Sequence, residues 1–351
     1  METIYQKIDA EHFEDEELQT ACDILRRGGL VALPTETVYG LGGDALKPEA
    51  AKQIYAAKGR PSDNPLIIHI ADMEDLYQLV KEIPQKAKQM ADAFWPGPLT
   101  MIFNKKDIVP YSTTGGLNTV AVRMPSHPIA QALIRQSGVY IAAPSANTSG
   151  RPSPTKAEHV MEDLQGRIDM IIDGGQVGIG IESTILDMTE EIPVILRPGY
   201  ITKEMMEQVI GTVKTDPALL ENSPESTIVA KAPGMKYRHY APKGRLTIVE
   251  GESERVITWI NQALKEHQKE GQKAAVIATE ESKAQYSTKL VFSIGSRQTE
   301  GSIAAGLYDI LREMDHVGAE VIYAESFAQD RLGYAIMNRL LKAAGHHRIQ
   351  V

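Results

Sequence analysis

Residues 140–155, YIAAPSANTSGRPSPT, are the most informative stretch for the fold of this chain. They begin as a short apolar run typical of a buried β-strand and pass directly into a loop of hydroxyl, amide and proline residues. Open α/β sheets bind their ligands at the carboxyl ends of strands, so we expect this loop to face a binding site. Its many hydrogen-bonding groups suit a phosphate or a developing oxyanion. An ordinary surface loop is the alternative.

Further strands and helices are predicted on both sides of this stretch. Apolar runs predict strands at residues 30–33, 65–70, 99–103, 119–123, 139–143, 170–173, 183–187 and 194–197. Apolar residues at helical spacing predict helices at residues 16–27, 48–58, 84–94, 127–137 and 155–164. Because strands and helices interleave irregularly, we predict an α/β domain over residues 1–211 with a large, mixed sheet.

Residues 244–351 show a more regular pattern. Predicted strands at 244–250, 273–279, 289–295 and 319–325 alternate with predicted helices at 252–270, 302–315 and 331–344. This alternation predicts a small parallel-sheet domain. The intervening residues 212–243 are predicted to form a linker, although its segment KAPGMKYRHYAP is unusually rich in basic and aromatic side chains.

The composition excludes several classes of protein. With 351 residues, of which 42% are hydrophobic, the chain is long enough for two globular domains. The net charge of −9 argues against nonspecific nucleic-acid binding, although a local basic pocket stays open as an alternative. The single cysteine, Cys22, excludes an intramolecular disulfide and fits a reducing compartment. The acidic N-terminus is unlike a signal peptide, and no apolar run approaches the ~20 residues of a membrane span, so we expect a cytosolic protein.

The segment LPTETVYGLG places polar side chains directly after a predicted strand. Thr35, Glu36, Thr37 and Tyr39 therefore lie at the sheet edge where α/β proteins bind ligands, and a turn with local hydroxyl–backbone bonds is the alternative. The overlapping GLGGDA matches the dinucleotide-binding pattern G-x-G-x-x-A. No predicted strand directly precedes it, and Pro48 interrupts the helix that should follow, so we predict no dinucleotide site there.

Two cations lie at the end of the helix predicted at 48–58. Lys58 and Arg60 flank Gly59, where they either complement the helix dipole or grip an anion such as a polyphosphate. On the following strand, His69 lies on the face opposite Ile68 and is either a structural histidine or a ligand contact.

Other strands also begin or end in polar or cationic residues. In NTVAVRMP, small residues and Arg123 share one strand face, which forms a good seat for a carboxylate, and a surface arginine is the alternative. Ser183 opens the strand in GIESTILD, and Arg197 closes the strand in ILRPGY. We find no Ser–His–Asp or cysteine nucleophile arrangement and no metal-ligand spacing. The cations and hydroxyl loops therefore indicate a site that binds anionic substrates and works by positioning and charge neutralisation.

Several longer motifs, in this order along the chain, resemble the YrdC-type threonylcarbamoyl-AMP synthase family. They are PTETVYGLG (34–42), KGRPSDNPL (58–66), PSANTSGRPSPT (144–155), STI (183–185) and RPG (197–199). The linker segment PGMKYRHYAP and the tail AIMNRLLKAA resemble the two-domain form of the family, so the resemblance covers essentially the whole chain. Leu33, where the family pattern has an aromatic or another apolar residue, is a conservative difference.

The resemblance implies a fold and a reaction. The fold is a twisted α/β YrdC-like domain with a wide concave active site, followed by a small Rossmann-like domain. The enzyme is a nucleotidyltransferase that makes threonylcarbamoyl-AMP and pyrophosphate from L-threonine, bicarbonate or CO2, and ATP, with Mg²⁺ accompanying the ATP and no metal site on the protein. The product supplies the threonylcarbamoyl group for an adenosine in tRNA, which a separate complex transfers.

The resemblance also implies roles for individual residues. The catalytic residues, which form the K-x-R…S-x-N signature near the ATP phosphates, are Lys58, Arg60, Ser145 and Asn147. The further ATP contacts are Asn64, Thr119, Ser153, Arg197 and Tyr237. The threonine contacts are Thr35, Thr37, His69, Arg123, the backbone at Ala143, and Ser183, with Arg123 facing the carboxylate and Tyr39 lining the same wall.

We predict that the linker, residues 212–243, acts as an active-site lid. Its residues 236–240 can reach into the cleft, with Tyr237 contacting ATP, and closure keeps water from an unstable carbamate. A linker packed on the domain surface by its tyrosines is the alternative.

Two other functions remain alternatives. An RNA-binding or ribosome-assembly protein would use a basic concave surface, but the net charge of −9 and the lack of a recognised RNA-binding motif disfavour it. A carbamoyltransferase that uses carbamoyl phosphate is suggested by the YrdC-like domain of hydrogenase-maturation proteins. The chain lacks the acylphosphatase and zinc-finger parts that this second resemblance would require.

Overall fold

The computed structural model describes residues 2–219, 231–233 and 240–351. The chain divides into two compact units. The first comprises Met1–Ser149, Ser153–Gly178 and Glu182–Tyr237, and the second comprises Gly150–Pro152, Ile179–Ile181 and Arg238–Val351. Across the described residues, no helix combines the length and the apolar character that a bilayer crossing requires.

The first unit is built on short strands. They are β1 (Ile4–Lys7), β2 (Val31–Leu33), β3 (Gly40–Asp44), β4 (Ile67–His69), β5 (Leu99–Asn104), β6 (Thr119–Arg123), β7 (Ile141–Ala142), β8 (Met170–Asp173), β9 (Thr184–Asp187), β10 (Val194–Arg197) and β11 (Lys214–Thr215). Among the described residues these eleven strands form one sheet in the order β1-β8-β2-β3-β7-β4-β6-β5-β9-β10-β11. β6 is parallel to β4 and antiparallel to β5, so the sheet is mixed, as predicted.

The helices of this unit lie between the strands in sequence. They are α1 (Gln19–Arg26), α2 (Pro48–Lys58), α3 (Met73–Leu79), α4 (Gln85–Phe94), α5 (Tyr111–Thr114), α6 (Pro128–Ser137), α7 (Ala157–Leu164) and α8 (Lys203–Ile210). α2 has the predicted bounds, because Pro48 is pre-organised for a first helical position and Gly59 ends the helix with a left-handed φ of 61°. The sequence pattern left α3, α5 and α8 unassigned.

β3 is a sheet strand where the sequence pattern assigned no element. It pairs antiparallel with β2 on one side and with β7 on the other. A Cβ atom on Gly42 would lie 2.7 Å from a side-chain atom of Ile141 and 2.9 Å from one of Leu33, so glycine allows these strands to pack closely. The segment that matches the dinucleotide pattern is therefore part of the sheet and not a phosphate-binding loop.

Alternate side chains of the central strands pack into two different apolar clusters, one on each face of the sheet. Ile68, Val122 and Leu186 belong to the main core, together with side chains of α2, α4, α7 and α8. On the other face lies a smaller apolar cluster, here called the floor patch, which consists of Ile67, Ile102, Ala121, Ile185, Leu196 and Ala232. Since side chains of a strand alternate with a period of two, His69 and Arg123 lie on the same face as the floor patch.

The second unit alternates strands and helices. Its elements are β12 (Arg245–Glu250), α9 (Ser253–Lys269), β13 (Ala274–Ala278), β14 (Val291–Ser293), α10 (Glu300–His316), β15 (Val321–Glu325), α11 (Arg331–Ala343) and β16 (Arg348–Gln350). In the part of the chain that the structure describes, five strands form a sheet in the order β14-β13-β15-β12-β16, and every pair is parallel. The predicted small parallel-sheet domain is confirmed, and the edge strand β16 is an addition.

Candidate active site

Lys58, the last residue of α2, joins two sequence motifs that are far apart in the chain. Its side chain is only 1% exposed, and its ammonium group donates to the backbone carbonyls of Ser145 and Asn147. A backbone hydrogen bond also joins the helix end to the loop, because the Ser149 amide donates to the Lys58 carbonyl at 2.9 Å. A buried ammonium needs such acceptors, so the lysine fixes the hydroxyl-rich loop against the end of the helix.

The loop itself is held by its own polar side chains. The Ser145 hydroxyl donates to Asn147 Oδ1 at 2.6 Å, and Asn147 Nδ2 donates to the Thr148 carbonyl at 2.9 Å. The Thr148 amide donates to Asp163 of α7 at 3.0 Å. The predicted catalytic residues of this loop therefore lie beside Lys58 in a fixed arrangement.

Arg60 and Asn64 follow the helix in the turn that leads to β4. Arg60 Nη2 donates to the Pro65 carbonyl at 3.2 Å, and the Tyr55 hydroxyl donates to the Asn64 carbonyl at 3.2 Å. Asn64 is 1% exposed, yet its side-chain oxygen makes no hydrogen bond within the described residues. Thr119 is the half-buried first residue of β6.

A row of polar side chains crosses the sheet on the face of the floor patch. His69, Arg123 and Thr100 occupy directly paired positions on β4, β6 and β5. The hydroxyls of Thr100 and Ser183 are hydrogen-bonded at 2.7 Å, and Arg197 Nη2 donates to the Ser183 hydroxyl at 3.1 Å. Strand pairing therefore brings His69, Arg123, Ser183 and Arg197, all predicted site residues, into one row.

Arg123 is the centre of this row and is 4% exposed. Its Nη1 donates to the Thr37 hydroxyl at 2.9 Å, and the hydroxyls of Thr37 and Thr35 are hydrogen-bonded at 2.9 Å. Its Nη2 lies 2.7 Å from Glu36 Oε1, but the approach is not aligned as a hydrogen bond. The loop before β3 thus reaches the row through its predicted threonine contacts and also through Glu36.

The electrostatics of the row follow from its burial. Desolvation lowers the pKa of His69 to about 3, with a further contribution from the Arg123 charge, so the imidazole is neutral at ordinary pH. Burial would raise the pKa of Glu36, but the Arg123 guanidinium outweighs this and holds the pKa below its usual value. The row therefore contains one buried ion pair beside a neutral histidine.

Several buried polar atoms at this face have no hydrogen bond within the described residues. They are Nδ1 of His127 together with both carboxylate oxygens of Glu36 and Nη2 of Arg123, although the last two groups form an ion pair at 2.7 Å; Oδ1 of Asn64 is a further such atom, in the turn before β4. Buried polar groups in native proteins are nearly always hydrogen-bonded, so these atoms are candidates to contact a bound molecule. In the part of the chain that the structure describes, no three or more histidine, cysteine or acidic side chains are grouped so that they could bind a metal ion.

Three other predicted site residues make hydrogen bonds within the protein. The Ser153 hydroxyl donates to Glu182 Oε1 at 2.6 Å, and the Ala143 amide donates to the Ile67 carbonyl at 2.9 Å. The Tyr39 hydroxyl donates to the Gly175 carbonyl at 2.6 Å, which anchors the turn after β8. Tyr39 therefore has a structural contact of its own.

The described part of the linker touches the same face. Ala232 is fully buried in the floor patch, and the Pro233 carbonyl accepts a hydrogen bond from Arg197 Nη1 at 3.3 Å. The residues on which the lid prediction depends, Lys236, Tyr237, Arg238 and His239, lie outside the described residues.

Thr100 and Glu182 were not predicted as site residues but contact Ser183 and Ser153, and Glu36 was predicted only to lie at the ligand-binding edge of the sheet. Thr100 carried a usable signal, since it is a hydroxyl inside the otherwise apolar strand LTMIF. Glu36 stood between two predicted threonine contacts. Its pairing with Arg123 depends on a contact between residues that are distant in sequence.

A mixed sheet with buried cations, hydroxyls and polar side chains on one face is typical of an α/β protein with a small-molecule site. A family model described as "Telomere recombination", which covers Sua5, YciO and YrdC proteins, matches residues 23–199. A second, described as "Threonylcarbamoyl-AMP synthase, C-terminal domain", matches residues 201–345. The chain belongs to the Sua5/YrdC threonylcarbamoyl-AMP synthase family, in its two-domain form.

Relatives match nearly the full length. The threonylcarbamoyl-AMP synthase of Pyrococcus abyssi (strain GE5 / Orsay) is 50% identical over 341 residues, which cover 97% of this chain and 98% of the relative. That of Bacillus subtilis (strain 168) is 53% identical and covers 94% of each chain. The crystal structure of P. abyssi Sua5 complexed with L-threonine superposes with a TM-score of 0.93 at 49% identity and covers 100% of both chains. The predicted family and fold class are confirmed.

Proposed function

We propose that this protein is an L-threonylcarbamoyladenylate synthase. It makes threonylcarbamoyl-AMP and pyrophosphate from L-threonine, bicarbonate or CO2, and ATP, in the cytoplasm, for the threonylcarbamoyladenosine modification of tRNA. Full-length family membership supports the reaction. The observation that carries the proposal is the arrangement of Arg123, Thr37, His69 and Ser183 on the same sheet as the Lys58-bound loop.

The threonine site is proposed at the polar row. Arg123 is assigned to the carboxylate because it is a buried cation at the centre of the row, although its Nη2 is already paired with Glu36 Oε1 at 2.7 Å. The surrounding contacts are Thr35, Thr37, neutral His69, the backbone at Ala143, and Ser183. Since the amide of Ala143 already donates to Ile67, its carbonyl oxygen is the group left to accept from the substrate.

The ATP site is proposed at the loop next to α2. Lys58, Arg60, Ser145 and Asn147 surround the phosphates, where cations and hydroxyls neutralise charge. The further contacts are Asn64, Thr119, Ser153, Arg197 and, from the linker, Tyr237. The unpaired side-chain oxygen of Asn64 fits a hydrogen bond from a nucleotide or its water. Mg²⁺ arrives with the ATP as part of the substrate.

The chemistry explains this set of side chains. The free amine of threonine adds to CO2 and forms a carbamate. A carbamate oxygen then attacks the α-phosphate of ATP, the bond between the α-phosphate and the bridging oxygen breaks, and pyrophosphate leaves. Phosphoryl-type transfer of this kind depends on positioning and charge neutralisation, and no protein nucleophile is required.

The domain limits and the lid are proposed with this function. The proposed limits are residues 1–211 for the catalytic domain, 212–243 for the lid and 244–351 for the C-terminal domain, but the edge strand β11 (Lys214–Thr215) extends the first sheet a few residues past the boundary at 211. Ala232 in the floor patch and Pro233 beside Arg197 support a linker whose residues 232–233 contact the proposed substrate face. Tyr237→Ala, or deletion of residues 233–241, is expected to reduce product formation while the first domain stays folded. Tyr77→Ala, at an exposed tyrosine of the same domain, is the matched control and should retain wild-type turnover. Wild-type turnover in both Tyr237→Ala and the deletion variant would exclude the lid.

ATP–pyrophosphate exchange tests the function directly. Exchange that requires both threonine and bicarbonate supports the synthase. Absence of exchange, together with retention of RNA that falls steeply with salt, would favour the RNA-binding alternative. Transfer of the product to tRNA is assigned to a separate complex, so no direct tRNA binding is needed for this assay.

A further inference from the structure

The second unit has its own topological switch point. The chain leaves β13 toward β14 at one edge of the sheet, whereas it leaves the neighbouring β15 toward β16 at the other edge. Where connections from adjacent parallel strands diverge, a crevice forms outside their carboxyl ends, and this crevice is the usual ligand site of open α/β sheets.

A cavity of about 570 Å³ lies at this point. Its lining includes Thr279, Glu281 and Ser282, which follow β13, and Glu325, Ser326 and Phe327, which end or follow β15. Small-molecule sites in proteins have volumes of roughly 300–1,000 Å³. The cavity therefore has both the position and the size of a small-molecule site.

One buried carboxylate organises the cavity. Glu325 is 3% exposed and accepts hydrogen bonds from the Ser282 hydroxyl, from the Tyr286 hydroxyl at 2.7 Å and from Arg297 Nη2 at 2.7 Å. With these donors its hydrogen-bonding capacity is largely used within the protein. Glu325 therefore positions Arg297 and does not itself bind a ligand.

The guanidinium of Arg297 is positioned by Glu325, the Ser326 carbonyl and the Phe327 ring, and its N–H groups other than those of Nη2 are left to contact a ligand. Its Nη2 also donates to the Ser326 carbonyl at 3.0 Å, and its guanidinium lies 5.1 Å from the centre of the Phe327 ring. Within the described residues, each hydrogen bond from this guanidinium starts at Nη2. An arginine fixed in this way presents its remaining N–H groups in the geometry that suits a carboxylate.

An opposite charge lines the same cavity. Glu281 accepts from the Ser296 hydroxyl at 2.6 Å and from the Arg297 amide at 3.0 Å, both at Oε1. The Ser296 hydrogen bond is the largest cause that lowers the pKa of Glu281 to about 2, so this carboxylate is ionised. Since Glu325 balances Arg297, Glu281 makes the cavity net negative, which disfavours a multiply charged anion such as a phosphate ester and favours a ligand with an ammonium group.

We propose that this cavity binds a zwitterionic α-amino acid, with its carboxylate on Arg297 and its ammonium on Glu281. The N-terminal end of α9, which has no side-chain cap, contributes Gly251 and Ser253 to the lining of the same cavity. The C-terminal domain thereby carries an amino-acid site of its own, separate from the threonine site proposed on the first sheet.

Equilibrium dialysis of the full chain against each proteinogenic amino acid tests this site. We expect saturable binding of at least one amino acid, and for threonine a second bound molecule per chain. Glu281→Gln and Arg297→Gln are each expected to weaken this binding about tenfold or more, the scale of one charge-assisted hydrogen bond. Arg255→Gln, at an exposed arginine of the same domain, is the matched control and is expected to change nothing.

Ligand analogues test whether the cavity recognises both charges of the amino acid. The amide of the bound amino acid and its deaminated acid are both expected to lose binding, because each lacks one of the two charges. Binding of no amino acid beyond one threonine per chain would overturn the proposal. So would binding that survives both substitutions, or preferential binding of AMP or inorganic phosphate at this cavity. ATP–pyrophosphate exchange measured on the same variants keeps this outcome separate from the proposed synthase function.

Discussion

The two units differ in how a buried carboxylate is hydrogen-bonded. In the first, Glu36 lies 2.7 Å from Arg123, but both of its oxygens and Nη2 of the arginine make no hydrogen bond in the described residues. In the second, Glu325 accepts from two hydroxyls and from Arg297. A desolvated charge is costly unless it is hydrogen-bonded. Under the proposed function, the first pair keeps hydrogen-bonding capacity for a substrate, whereas the second carboxylate is satisfied and holds one arginine in place.

The largest effect is expected at Lys58, the buried cation of the first unit. Lys58→Met removes the ammonium next to the proposed phosphate site and should lower ATP–pyrophosphate exchange by about 10²- to 10³-fold, the scale of losing one preorganised donor. Lys52→Met, at an exposed position of the same helix, is the control and should retain activity. Normal exchange in a folded Lys58→Met protein would remove this residue from the active site.

A double-mutant cycle of Arg123 and Glu36 tests whether the buried carboxylate of Glu36 depends on the arginine for its stability. Arg123→Gln leaves Glu36 buried and unpaired and should lower the free energy of unfolding by about 3 kcal/mol. The double substitution with Glu36→Gln should recover most of that stability, as measured by urea denaturation, yet still fail to bind threonine. If the double variant binds threonine normally, Arg123 has only a structural role.

Acid should weaken the first unit through His69. The pKa of this histidine is about 3 in the folded chain and about 6.5 when unfolded, so only the unfolded state takes up the proton between these values. Its contribution to stability is complete above about pH 6.5 and is lost progressively as the pH falls, by about 2 kcal/mol from about pH 7 to about pH 5. His69→Gln should flatten this part of the stability profile. An identical profile in wild type and variant would show that His69 is not the responsible group.

The smallest effect is expected at Arg297, where the comparison with Arg123 is most direct. Its side chain is 42% exposed, and Glu325 keeps its hydroxyl donors when the arginine is removed. Arg297→Gln should therefore cost about 1 kcal/mol or less in urea denaturation. A loss as large as that of Arg123→Gln would mean that both carboxylates depend on their arginines to the same degree.

Much of the fold was predictable because its signals are local. α2 begins at Pro48 and ends at Gly59 as expected, and the apolar alternation of TVAVR forms β6 at the predicted residues. β3 was not predictable in this way, since its glycines carry no strand preference. They form a strand because they pair with β2 and β7, and glycine fits there since these neighbours leave no room for a side chain at Gly42.

For the site, the sequence alone determined the residue types and the loops that carry them, because hydroxyls and cations placed after apolar strands are a local pattern. Only the tertiary structure decided which of them meet. Lys58 reaches the carbonyls of the 145–147 turn, and Arg123 lies between Thr37 and Glu36. These contacts depend on strand order and register in a mixed sheet, which pair residues that are distant in the chain and which no local pattern records.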